Sequence, residues 1–162
     1  MSKKKIPFLI FLIILSQISV NCQTRISIPA YTGYAVPAEE INEAGESRLF
    51  SLKAGVHNWT DTKQQLHYYF KAGNKGNLQL SIHIKNEYAG NTILVSLSGR
   101  KFLVTVPQSK IYKTVKVGSL NITDTGFYTI TVSSVSKKGK TIADIKSFEL
   151  NGSATESIHF NA

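Results

Sequence analysis

Leu78, Leu80, Ile82 and Ile84 alternate without a break with Gln79, Ser81, His83 and Lys85. A repeat of two belongs to an extended chain with one buried and one wet face, whereas the apolar stripe of a helix recurs every three or four residues. The same repeat returns along the chain. Leu66, Tyr68 and Phe70 alternate with His67, Tyr69 and Lys71; Ile93, Val95 and Leu97 follow, then Phe102, Val104 and Val106, and Tyr128, Ile130 and Val132 alternate with Thr129, Thr131 and Ser133. Ile111, Lys113, Val115 and Val117 read as one more strand, with Leu120 and Ile122 beyond Gly118. Turn signals separate these runs, at Gly55, at residues 73–76, at residues 98–100 and at Pro107. Only residues 38–47, rich in Glu39, Glu40, Glu43 and Glu46, leave room for a single helical turn. Short strands at this spacing with no helix of ordinary length predict an all-β chain folded as an antiparallel β-sandwich of jelly-roll type.

The ends of the domain follow from the same pattern. Residues 25–37 read as a short edge strand with its neighbouring loop, because prolines flank them. Phe50 and Leu52 are expected on one face. Residues 126–152 read as the last β-hairpin, reversing at SKKGK, where Gly139 is free to take a positive φ. In its second strand Ile145, Phe148 and Leu150 are spaced three and then two, which predicts a β-bulge. The domain is therefore expected to span residues 23–152, with a loosely held tail at 153–162.

Lys3, Lys4 and Lys5 precede an apolar run from Ile6 to Leu15 and then small and polar residues up to Cys22. This is the pattern of an export signal, and the run is too short for a membrane span, which needs about 20 apolar residues. Val20 and Cys22 suit ordinary cleavage before Gln23; in the alternative, Cys22 becomes the lipidated first residue of a lipoprotein, for which Asn21 is a poor neighbour. A secreted or periplasmic protein is expected, with no transmembrane segment once the signal is removed. Cys22 is the sole cysteine, so the domain has no disulfide and relies on its core.

Losing residues 1–22 removes three lysines and no acids from a net charge of +9, leaving 140 residues and +6. That length makes one domain. Lysine-rich turns account for most of such a charge, with an acidic polysaccharide or envelope surface as the anionic partner to consider. Export and the lack of a concentrated basic stretch argue against nucleic acid.

The stretch GVHNWTD puts His57, Asn58, Trp59 and Asp61 in one loop. An aromatic face and planar polar groups are what a pyranose site requires. The expected ligand-binding set is Trp59, Asn58, His57 and Asp61 with Tyr34; Tyr31 and Tyr69 extend a second aromatic face. Trp59 has a competing structural use as a plug in one end of the sandwich. Tyrosines beside prolines likewise often just cover a sheet edge. Catalytic signals are sparse. Glu40 with Glu43, or Asp61 with Asp144, would be a glycosidase pair, but nothing in their spacing brings them together. Serine-nucleophile and phosphate-loop motifs are missing. His57, His67, His83 and His159 lack zinc-ligand spacing, and His67 and His83 fall on the polar side of strands. Asn58, Asn121 and Asn151 open glycosylation sequons of a kind that arises often by chance. No enzyme activity, cofactor or metal is expected.

The pieces ISIPAYTGYA, GVHNWTD followed by YYF, GNLQLSIHI, ILVSLSGRKFLVTV, KVGSLNITDTGFYTITV and SVSKKGKTIADIKSFELNG occur in one order over residues 25–152. In that order the chain resembles domain-of-unknown-function family 5077, found in secreted bacterial proteins. The resemblance implies a galactose-binding-like jelly roll of the kind found in carbohydrate-binding modules, commonly set before a larger uncharacterised domain of family 3472 that is absent from this sequence. ADIKSFEL is similar to the final strand of several such modules, in which an aspartate matching Asp144 helps hold a structural calcium with an early glutamate pair. This chain has IPAY where that pair is expected, so Asp144 reads first as a backbone-organising residue. The function implied is a non-catalytic, exported binding module for carbohydrate or a cell-surface glycan. The alternatives are a structural or protein-interaction domain of the cell envelope and, third, a glycoside-active enzyme.

Overall fold

The computed structural model describes residues 25–39, 41–44 and 47–160. The expected export signal, Cys22, Glu40 and Glu46 lie outside them. The described residues form twelve strands: β1 (Ile26–Pro29), β2 (Tyr34–Val36), β3 (Phe50–Ser51), β4 (Gly55–Val56), β5 (Gln65–Ala72), β6 (Gly76–Asn86), β7 (Thr92–Leu97), β8 (Arg100–Thr105), β9 (Ser109–Ile122), β10 (Gly126–Ser136), β11 (Asp144–Asn151) and β12 (Ile158–His159). They pair antiparallel into two six-stranded sheets. One runs β3-β4-β11-β6-β9 with β1 also on β11; the other runs β12-β5-β10-β7-β8 with β2 also on β5. The described residues contain no α-helix, only two 3₁₀ turns, at Ala30–Thr32 and Ser153–Ser157.

The alternation read from the sequence is the alternation of burial. Leu78, Leu80, Ile82 and Ile84 of β6 are fully buried and face Leu66, Tyr68 and Phe70 of β5 and Ile130 and Val132 of β10 across one core. At about 25 cal/mol per Å² of apolar surface removed from water, each such side chain contributes roughly 1.5–3 kcal/mol. This core takes the place of disulfides. Ser98 and Gly99 take φ of 46° and 89°, the left-handed pair a two-residue hairpin needs, and join β7 to β8 as expected. The bulge in β11 is present too, between Ile145 and Ser147.

Four expectations are corrected. β10 and β11 are not a hairpin: β10 pairs with β5 and β7 in one sheet, β11 with β1, β4 and β6 in the other. The connection between them crosses from sheet to sheet. Gly139 keeps out of the left-handed region and is needed for space instead, since a Cβ there would lie 2.0 Å from the Tyr88 ring. Leu52 is 78% exposed in a turn, while Leu49 fills the core. The expected tail is folded: Ala154, Thr155 and Ile158 are buried, and β12 closes on the edge of β5.

The crossover is held by two asparagines. Asn86 and Asn91, both buried, donate from Nδ2 to the Ile142 carbonyl at 2.6 and 2.7 Å and to that of Thr141 at 3.0 and 2.8 Å. Asn91 Oδ1 also accepts from the Lys138 backbone N–H at 2.7 Å. Buried backbone in an irregular segment needs such partners, because each unsatisfied group costs about 1–3 kcal/mol.

Candidate functional site

The crossover fixes one end of the sandwich, and the GVHNWTD loop is built on it. Gly55 starts the loop at φ 77°, where a Cβ would lie 2.2 Å from the Ile145 carbonyl oxygen, so only glycine fits. The His57 N–H donates to Leu49 O at 2.9 Å. Asn58 follows at φ 53°, a left-handed position that asparagine tolerates better than most residues, and its Nδ2 lies 2.8 Å from His57 Nδ1. The strained turn rotates Trp59 inward. Its indole is 0% exposed, and its carbonyl accepts from Ile142 N–H at 2.7 Å. Trp59 is thus the plug of the sandwich end, and its expected use as an exposed stacking contact is corrected; the indole Nε1 has no hydrogen-bond partner among the described residues. Lys137 Nζ reaches Thr60 O at 2.7 Å, and Asp61 Oδ1 accepts from Lys63 N–H at 2.8 Å to close a turn.

Opposite this loop lies Glu39. Its carboxylate accepts from Ser47 Oγ at 2.7 Å and from Leu49 N–H at 2.8 Å, which pins residues 47–49 against the chain leaving β2. A cavity of about 760 Å³ opens between the two segments, lined by Glu39, Arg48, His57, Asn58, Asp61 and Gln64, with Ala38, Leu49 and Thr60. Three of the expected residues, His57, Asn58 and Asp61, come together in it. The sequence reading missed Arg48 and Gln64, which are isolated polar residues with no motif around them, and counted Glu39 only as part of an acidic cluster. Six planar polar side chains around one cavity can offer paired donors and acceptors to the hydroxyls of a small polar ligand.

Tyr34 lies elsewhere, on the outer face of the β5 sheet. It stacks on His67 at 5.3 Å and on Tyr69 at 6.1 Å between centroids, and its hydroxyl is 2.9 Å from that of Tyr69. That hydrogen bond, with some desolvation and the neighbouring charge, holds the Tyr34 phenol above its ordinary range. Asp144 lies on the other sheet, with Oδ2 3.5 Å from Lys85 Nζ. Its neighbour is a cation where a calcium site would need further oxygens, and no group of three His, Cys, Asp or Glu suited to a metal occurs among the described residues. Among the described residues no helix is long and apolar enough to cross a membrane.

Residues 39–155 match the model of the family described as domain of unknown function DUF5077. The chain belongs to that family. No curated protein matches this DUF5077 chain in sequence. Solved structures resemble it in fold. A GH26-CBM35 β-(1,4)-mannanase of Podospora anserina aligns with a TM-score of 0.61 at 16% identity, over 82% of this chain and 28% of the mannanase. The carbohydrate-binding module CBM35 from Cellvibrio japonicus Abf62 aligns with a TM-score of 0.57 at 12% identity, over 86% of this chain and 99% of the module. The C-terminal CBM6 of LamC, a marine laminarinase from Zobellia galactanivorans, aligns with a TM-score of 0.52 at 14% identity, over 79% and 99%. The DUF5077 domain therefore has the jelly-roll fold of carbohydrate-binding modules, and it spans just over a quarter of the mannanase.

Proposed function

We propose that the protein is an exported, non-catalytic module that binds carbohydrate or a cell-surface glycan in the cavity beside the GVHNWTD loop. The observation that carries this is the ring of planar polar side chains, Glu39, Arg48, His57, Asn58, Asp61 and Gln64, around a cavity of about 760 Å³ in a wall anchored by Trp59. Sugar hydroxyls donate and accept at once, and amide, carboxylate, guanidinium and imidazole edges match them. Likeness of fold to the Cellvibrio and Zobellia modules supports the class of ligand. A binding role rather than a hydrolytic one is supported by the two carboxylates of the cavity, which already hold backbone: Glu39 accepts from the Leu49 N–H across the cavity wall, and Asp61 from the Lys63 N–H of its own turn.

The test is native affinity electrophoresis of the full chain through gels containing the neutral polymers mannan, xylan, laminarin, galactan or arabinan. At least one polymer is expected to retard it, and Gln64→Ala and Asp61→Ala should each weaken that retention about three- to tenfold, the value of one or two hydrogen bonds. Retention by none of the five, or retention indifferent to both substitutions, contradicts the proposal. Release of reducing sugar from a retained polymer would replace it with the glycosidase reading.

A further inference from the structure

The register of the β5 sheet arranges its outer face in rows that run across the strands. Tyr34 of β2, His67 of β5, Thr131 of β10, Ser96 of β7 and Lys101 of β8 are successive partners in one row. Tyr69 and Thr129 begin the next, and His159, Lys71 and Phe127 form the one after that. This surface is aromatic and open. Tyr34, Tyr69 and Phe127 are 45%, 51% and 79% exposed, and the planes of His67 and Tyr69 lie within 15° of that of Tyr34. At its far end, Lys71 Nζ sits 6.0 Å from the Phe127 ring centroid, beside a cleft of about 180 Å³ that Tyr69, Phe127, His159 and Phe160 also line.

The placement of carboxylates distinguishes this face from its counterpart. On the β6 sheet, Glu149 meets Arg25 and His83 and Asp144 meets Lys85, although Lys116 of β9 has no carboxylate partner among the described residues. The rows on the β5 sheet hold Lys71, Lys101 and two histidines but no aspartate or glutamate. Among the described residues neither lysine has a carboxylate within ion-pair distance. A second copy of this chain is a poor occupant, because a twofold contact would set cations against cations. A polyanion built of rings matches both properties: stacking surface for its apolar faces, and unpaired cations for its acid groups.

We infer that this face is a second carbohydrate surface, separate from the end cavity, and that it takes an anionic polysaccharide. Tyr34 and Tyr69 hold sugar rings, Lys71 and Lys101 meet carboxylate or sulfate groups, and Thr129 and Thr131 offer hydroxyls between them. The ligand class rests on the glycan-binding reading; the site does not depend on the cavity.

The experiment measures affinity of the full chain for polygalacturonate and its methyl ester, and for a sulfated galactan and neutral galactan, at low and at moderate salt. One acidic polymer should bind about tenfold tighter than its uncharged counterpart, and the pair that differs identifies carboxylate or sulfate as the group recognised. The double substitution Lys71→Gln with Lys101→Gln should weaken that binding about tenfold and flatten its salt dependence. Tyr69→Ala, with an unchanged circular dichroism spectrum, should weaken it at both salt concentrations, while Gln64→Ala in the cavity leaves it unchanged. Equal affinity for charged and uncharged polymers, or no effect of the double substitution, overturns the inference. So does a self-association abolished by Tyr69→Ala with no polysaccharide bound. Binding of neutral glycans that depends on Gln64, with no binding of either polyanion, would sink this surface and leave the cavity standing; no glycan binding at all would sink both.

Discussion

Trp59 sits in a polar heptapeptide, and its burial comes from its neighbours: Asn58 in the left-handed region turns the indole inward, and Ile142 ties its carbonyl down. Trp59→Ala should therefore cost about 3–5 kcal/mol of stability, as expected for emptying a large core site, and Trp59→Phe roughly 1–2 kcal/mol, both read from urea unfolding midpoints. Loss of glycan affinity in Trp59→Ala without loss of stability would show instead that the indole is a contact. Asn91 belongs with Trp59, since it satisfies Thr141 O, Ile142 O and Lys138 N–H from a fully buried position. Asn91→Ala should destabilise by about 1–3 kcal/mol in the same measurement, because the Lys138 N–H loses its partner and the Thr141 and Ile142 carbonyls are left with Asn86. The residue scale was the least legible. His57, Asn58 and Asp61 announced themselves by clustering in one loop, but Arg48 and Gln64 reach the cavity only through folding. Asn86 and Asn91 read as ordinary loop residues, because nothing local says that a crossover will need their amides.

The elements themselves were far more legible, because a strand half buried in a sandwich must alternate and these do. What alternation cannot say is which sheet a strand joins. β10 and β11 look the same as a hairpin or as a crossover, and the choice is made by the asparagine-held connection between them. The closing segment was hidden for a different reason: Ala154, Thr155 and Ile158 are small or scattered, yet they cap the edge of β5. Ile158→Ala should lower stability by about 2 kcal/mol, and truncation after Gly152 by more, with β5 amides near Ala72 exchanging faster with solvent. Unchanged stability on truncation would return residues 153–160 to the status of a tail.

At the scale of the molecule, one core carries the stability, and its buried tyrosine makes that stability depend on alkali. Burial pushes the Tyr68 phenol well above its ordinary 10.0, and Tyr112 is raised by desolvation and by the charge of Asp144. A folded pKa above the unfolded value means the native state holds the proton longer. The contribution is complete below pH 10 and is lost as pH rises beyond it, by about 1.4 kcal/mol per pH unit for Tyr68. Tyr68→Phe should show a shallower fall by that amount when unfolding is followed between pH 9 and 11.5. Two other whole-molecule features matter for function: a polar cavity at one end, and a sheet face whose rows hold lysines but no carboxylates. Neither was visible as such in the sequence, which shows a total charge but not its division between two sheets.

The most direct measurement is amide chemical-shift mapping of the isotope-labelled protein, titrated separately with a neutral mannan-derived hexasaccharide, a neutral galactan-derived hexasaccharide and an oligogalacturonate. The account predicts that a neutral sugar moves the amides of Asn58, Thr60, Asp61 and Gln64, and that the acidic one moves those of His67, Tyr69, Lys71 and Thr129. Shifts confined to other surfaces, or no shifts with any of the three, would contradict it.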